Sequence, residues 1–186
     1  MNRRRLLVTT AAVTTAAIGM PRLSQAVAAT DDELAFANFG VSVEFLLQDF
    51  YAKALEAKVL TGAQAGALRR GRSAASQHAK ALRDLLAGAG QTSPVEEDFT
   101  FVWPKNAFST APSTRSTGLA VLRPLLGFYQ TAMVSVSEPE YRVLYASLAA
   151  SLGQQIGALS ARSATEPFPV AVDLEAASTA LQDYLG

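Results

Sequence analysis

Cysteine is absent from all 186 residues, and histidine occurs once, as His78. The first absence excludes disulfides, thiolate metal sites, cysteine nucleophiles and a lipid anchor carried on a cysteine. The second excludes any site built on several imidazoles, and no Ser-His-acid arrangement is visible around the plentiful serines. Glycines are scattered, with no phosphate-binding loop among them. An excess of one charge is also missing from the whole chain, where 16 basic residues face 16 acidic ones. The balance is uneven along the sequence, because Arg3, Arg4, Arg5 and Arg22 stand in a segment without a single acid. Residues 29–186 keep twelve bases against sixteen acids, a net charge of −4. A mildly acidic domain of this kind is a poor partner for nucleic acid or anionic membranes. What is present is a 49% hydrophobic composition, enough for one core in a chain too short for two comfortable domains. Without disulfides, packing must supply the stability.

The first 28 residues are expected to be a cleavable export signal. Arg3 and Arg4 precede Leu6 and Leu7, and a moderately apolar run to Met20 is diluted by Thr9, Thr10, Thr14 and Thr15. Pro21 then breaks any helix, and Ala26 and Ala28 supply the small residues that a signal peptidase reads. The apolar run is too short for a stable membrane span, which needs roughly 20 residues. The arginine pair, the weak apolar stretch and Arg22 near the cleavage region resemble twin-arginine signals; an ordinary Sec signal shares the three-part layout. The twin-arginine reading implies a translocase and a signal peptidase as partners. It also implies folding before export and a location in periplasm, cell wall or medium.

Residues 29–186 read as one all-α domain. Thr30-Asp31-Asp32-Glu33 is a capping box, and Phe36, Phe39, Val43, Leu46, Leu47, Phe50 and Ala54 follow at helical spacing to about Val59. Thr61-Gly62-Ala63-Gln64 reads as a second box, opening a helix that carries Leu68, Ala75, Leu82, Leu85 and Leu86 to Gly88. Two long helices with so short a linker should lie antiparallel. From 88 to about 116 the helical period disappears among Pro94, Pro104, Pro112 and many Ser and Thr, a long crossover of a kind that usually has a job. Its aromatics Phe99, Phe101, Trp103 and Phe108 should pin part of it to the bundle, since that much ring area is costly to leave wet. A third helix is expected over 117–136, with Pro124 marking a kink or late start. Ser137-Glu138-Pro139-Glu140 reads as a third box before a fourth helix carrying Tyr141, Leu144, Tyr145, Leu148, Leu152, Ile156 and Leu159. A tail over about 163–186 ends in a short helix from 173 to 185. Two hairpins joined by one crossover is the connectivity of a ferritin-like four-helix bundle.

The segments Phe36-Ala37-Asn38-Phe39, Val43-Glu44-Phe45, Phe50-Tyr51 and Gln77-His78-Ala79-Lys80-Ala81-Leu82, with Tyr129 and 154–159, resemble exported ferritin-like proteins. That resemblance implies a di-metal centre: one Glu from each of two helices and a Glu-x-x-His from each of the others. The i, i+3 spacing puts both ligands on one side of a helix, and two divalent cations need most of those carboxylates. Here only Glu44 and His78 stand at matching positions. Ala75 precedes His78 by three residues, Leu122 stands where the third-helix Glu would fall, and Gly153 and Ile156 match the fourth-helix pair. Shifting that last register offers only Gln154 or Gln155. Two of six ligands do not make an oxidation centre.

Each remaining feature has a plainer reading. Glu44 lies toward the margin of the apolar arc, which favours a solvated flank residue or an ion-pair partner over a metal ligand. A lone helical histidine is ordinarily a hydrogen-bonding group. Arg69, Arg70 and Arg72, with Lys80 and Arg83, form a solvated basic face or a dock for an acidic partner. Tyr51, Tyr129, Tyr141 and Tyr145 read as core or edge packing. The expectation is therefore a non-enzymatic structural or interaction protein of the cell envelope or exterior, with no catalytic residue, no cofactor, and homo- or hetero-oligomers through helix faces. The alternatives are residual iron or manganese binding or oxidase activity with ligands from a partner subunit, and an apolar ligand in space left beside Ala75 and Gly153. The signal reading makes one direct prediction. Arg3→Lys with Arg4→Lys strands unprocessed precursor inside the cell, and exported wild-type protein starts near Ala29. Unimpaired export of the double variant, followed by immunoblotting of fractions, would assign a Sec signal instead.

Overall fold

The computed structural model describes residues 30–160 and 169–186, so the signal segment lies outside the described residues. Five α-helices occur among the described residues: α1 Asp31–Glu56, α2 Gly62–Gly88, α3 Ala111–Ser135, α4 Pro139–Leu159 and α5 Leu174–Leu181. Among the described residues there is no strand, only an isolated antiparallel bridge between Phe101 and Leu185. No described helix is long and apolar enough to cross a membrane.

Side-chain contacts fix how the helices run. Glu44 of α1 meets His78 of α2, and Gly40 packs on Leu82, so α1 and α2 are antiparallel. Phe36 and Phe39 of α1 pack on Phe128 of α3, while Phe50 sits against Gly118 at the other end, so this pair is antiparallel too. Tyr129 faces Tyr145 and Gly118 faces Leu159, so α3 and α4 are antiparallel as well. Gly71 and Gln64 of α2 reach Gln155 and Ala158 of α4 and close the ring. The result is a four-helix bundle of two antiparallel hairpins in which each helix has two neighbours. Because α2 ends near the start of α1, and α3 begins near the end of α1, the connection must travel the length of the bundle.

That connection runs along the outer side of α1. Phe99 packs on Phe45, with ring centroids 6.3 Å apart. Further on, Trp103 and Phe108 both pack on Phe50, at 5.7 and 5.9 Å. The indole Nε1 of Trp103 donates to Asp49 Oδ2 at 2.6 Å, and Asp49 is also paired with Lys53. The chain end locks the same segment: Val102 N donates to the Tyr184 carbonyl and Gly186 N to the Thr100 carbonyl. As a consequence α1 is buried around most of its circumference, from Val43 and Glu44 through Leu46 and Leu47. The crossover aromatics thus behave as their composition requires.

Several local expectations need correction. The connection ends six residues earlier than 116, because α3 begins at Ala111. Pro112 lies in its first turn, where a missing N–H costs nothing, and Thr110 with Ser113 forms a capping box. Pro124 lies within a helix that continues through it. The box at Thr30 and Glu33 forms as expected, with Thr30 N donating to Glu33 Oε2 at 2.8 Å. The boxes at Thr61 and Ser137 do not. Thr61 makes no side-chain cap bond, and Gln64 instead donates to the Ala158 carbonyl. Ser137 gives both its N–H and its hydroxyl to Glu33 Oε1, at 2.8 and 3.0 Å, and Glu138 takes the N-cap position of α4. Burial opposes the Glu33 charge, yet the bonds from Thr30 and Ser137 hold its carboxyl below the usual range. Helix α1 stops at Glu56, three residues early, and Lys58 adopts a positive φ of 56° in the turn. Helix α5 is shorter than expected and is capped by Asp173, whose carboxylate accepts from Ala176 N at 2.8 Å. Where the segment before α5 crosses α3, Val172 N donates to the Gly127 carbonyl, and a β carbon at Gly127 would collide with the Val170 carbonyl oxygen.

Within 30–160, limited proteolysis should first nick residues 90–98, which are mostly exposed, ahead of the aromatic-pinned 99–108. The two pieces should co-elute, because each hairpin buries its apolar face on the other. Mass spectrometry placing the first cut within 36–54 or 99–108 would contradict this packing.

Candidate functional site

Glu44 projects from the middle of α1 into the bundle and is fully buried, with 0% of its surface exposed. The solvated-flank expectation is therefore wrong. Its error lies in reading the margin of the apolar arc as solvent-facing, whereas α2 and α3 close over that margin and bring His78 and Tyr129 to it. A carboxylate in such a place is costly unless donors reach it. Two do. Tyr129 on α3 donates its hydroxyl to Glu44 Oε1 at 2.7 Å, and His78 Nδ1 on α2 lies 3.3 Å from the same oxygen. His78 is itself buried, at 4% exposed. With Nδ1 protonated, the imidazole donates to the carboxylate. The two residues singled out as Glu44 and His78 are thus brought into direct contact, and Tyr129 joins them as a third member. Packing was the expected role of Tyr129; a signal for more was available, since its hydroxyl needs a partner once the ring is buried.

The surroundings of this triad are tight. Tyr51 and Gln155 pack over Gly71, where a β carbon would lie 2.7 Å from Tyr51 Cζ and 2.9 Å from Gln155 Oε1. Only a residue without a side chain lets α2 approach there. Burial, with the Glu44 charge adding to it, pushes the phenols of Tyr51 and Tyr129 far above their ordinary range. Tyr145 is raised in the same direction by burial and then by Glu33 and Tyr141. Glu44 Oε2 and the Tyr145 hydroxyl are buried without a protein hydrogen-bond partner.

The other positions at which the resemblance would place metal ligands hold no ligand. Ala75 and Leu122 are buried in the apolar core at 1% and 0% exposed. Gly153 is half-exposed, and a β carbon there would meet nothing within 4 Å, so it opens no space inside the bundle. Of the two glutamines, Gln155 is the inward one and Gln154 is exposed. Among the described residues no three His, Asp or Glu side chains converge on one point. One carboxylate and one imidazole do not fit two bridged cations, whose charge and hard-oxygen ligation need several carboxylates. Arg69, Arg70 and Arg72 lie on the exposed side of α2.

The three buried phenols give the site a pH signature. In the unfolded chain tyrosine ionises near pH 10, whereas Tyr51, Tyr129 and Tyr145 hold their protons in the fold. Above pH 10 the folded state therefore binds more protons than the unfolded one, and stability falls as pH rises. With three such groups the slope approaches about 4 kcal/mol per pH unit. Spectrophotometric titration should show Tyr141 and Tyr184 ionising first and the other three only together with loss of helical circular dichroism. Five tyrosinates appearing while the helices persist would contradict the buried phenol cluster. Comparison with family models, with curated proteins and with solved structures finds no match to this chain.

Proposed function

We propose that this chain is a ferritin-like bundle whose di-metal centre has been replaced by a hydrogen-bonded core, and that it acts without catalysis as a structural or interaction protein of the cell envelope or exterior. One observation carries the reading: the single carboxylate in the middle of the bundle is engaged by Tyr129 and His78, while the remaining ligand positions hold Ala75, Leu122, Gly153 and Ile156. The order of the two hairpins and the full-length crossover support the ferritin-like part. Export through a twin-arginine pathway rests on Arg3, Arg4, Ala26 and Ala28, as read from sequence.

Residual iron or manganese binding has one observation on its side, the unpartnered Oε2 of Glu44. Its requirement for ligands from another subunit meets a physical obstacle, because Glu44 has no exposed surface through which a neighbour's side chain can reach it. An apolar ligand beside Ala75 and Gly153 finds no support either, since one is packed into the core and the other faces outward. Elemental analysis of protein purified from its native compartment should give substoichiometric iron and manganese. Added Fe(II) or Mn(II) should leave the melting temperature unchanged. A metal-dependent rise that disappears in Glu44→Leu and in His78→Leu would replace this reading with the metal-binding one.

A further inference from the structure

The charge of residues 29–186 is strongly segregated. Helix α2 carries Arg69, Arg70, Arg72, Lys80 and Arg83 against the single acid Asp84, while the rest holds seven bases and fifteen acids. No carboxylate occurs from 62 to 83. Residues 69, 72, 73, 76, 80 and 83 fall on one side of a helix with 3.6 residues per turn, and all six are exposed. At 1.5 Å per residue this stripe is about 21 Å long. Lys80 is paired with Asp84 at 2.6 Å. Arg69, Arg70, Arg72 and Arg83 make no ion pair among the described residues, and Arg83 donates only to Ser93 at 3.1 Å. Beside α1 the stripe deepens into an open groove where Leu55 supplies one apolar wall and the rest is lined by Arg69, Arg72, Ser73, Ser76, Gln77 and Gln48. Those side chains offer guanidinium, hydroxyl and amide donors, with no acid among them.

We propose that this face of α2 docks linear polyphosphate, recognised through its repeating charge. Like charges held close together on a domain of net charge −4 are matched by an anion, and guanidinium forks with interleaved hydroxyls suit phosphate oxygens. A polyphosphate chain carries a charge on every phosphate, so several charges face the stripe at once. A protein partner fits less well. Protein interfaces bury a core enriched in aromatics and depleted of charge, and this face has neither feature. A bilayer surface fits less well too, because the exposed large apolar residues (Val95, Val102, Val134, Val143 and Val170) all lie outside α2. The inference is independent of what the bundle core once held.

The test uses linear polyphosphate as the probe and measures affinity by calorimetry across a salt series. Taking about 0.7 per neutralised phosphate on a single strand, Arg69, Arg72 and Arg83 give a log-affinity against log-salt slope of about −2. Arg69→Gln with Arg72→Gln and Arg83→Gln should bring that slope close to zero and weaken binding at least tenfold at low salt. The melting temperature should hold, since all three side chains are exposed. Lys58→Gln with Lys105→Gln and Arg115→Gln, which removes three charges elsewhere, should leave binding intact. Absence of binding at low salt, or binding unaffected by the triple variant, would overturn the proposal. So would tighter association with vesicles containing phosphatidylglycerol than with polyphosphate, which would assign the face to a membrane surface.

Discussion

A carboxylate with no access to water governs this molecule. Glu44 is surrounded by α1, α2 and α3, and its tolerance there depends on the Tyr129 hydroxyl and the His78 imidazole arriving together at one oxygen. Each donor comes from a different helix, so the requirement for satisfaction also sets helix register. Sliding α2 or α3 by one turn would strand the charge at a cost of about 1–3 kcal/mol or more. Apolar packing alone tolerates such slips better, because leucine-rich faces have near-equivalent alternatives. A buried pair of this kind is weak evidence for net stability, because desolvation offsets much of the attraction.

The rest of the architecture follows from keeping water away from that centre. Small residues let the helices close in: Gly40 beneath Leu82 and Tyr129, and Gly71 beneath Tyr51 and Gln155. The crossover seals the outer side of α1 with Phe99, Trp103 and Phe108, and its own position is fixed by Asp49 and by pairing with the chain end at Tyr184 and Gly186. Glu33 performs a related task at the bundle end, tying the start of α1 to the turn between α3 and α4 through Ser137. Two buried acids thus act as fasteners between distant segments.

The helices were legible in the sequence because apolar spacing and the Thr30–Glu33 cap are local signals. What escaped was decided by distant partners. Ser137 looks like a cap until Glu33, 104 residues away, takes its donors. Thr61 and Gln64 look like a box until Ala158 offers a carbonyl. Pro112 looks like loop punctuation, although the first turn of a helix accepts it equally well. Glu44 reads as a flank residue because it stands at the margin of the apolar arc, and no periodicity records that His78 of α2 and Tyr129 of α3 converge on that margin. His78 was recognisable as a hydrogen-bonding residue, and its meeting with Glu44 followed from antiparallel pairing. Tyr129 was not separable from the other core tyrosines until the fold aimed its hydroxyl.

The most direct measurement of the central claim is a double-mutant cycle on Glu44 and His78, read by denaturant unfolding of the metal-free protein. Glu44→Leu and His78→Leu should each destabilise the fold by about 1–3 kcal/mol, since each leaves a buried polar group without its partner. The double variant should recover much of that loss, because an apolar pair of similar volume replaces the whole interaction. Strictly additive effects would show that the two side chains do not depend on one another, and the account of the core would fail.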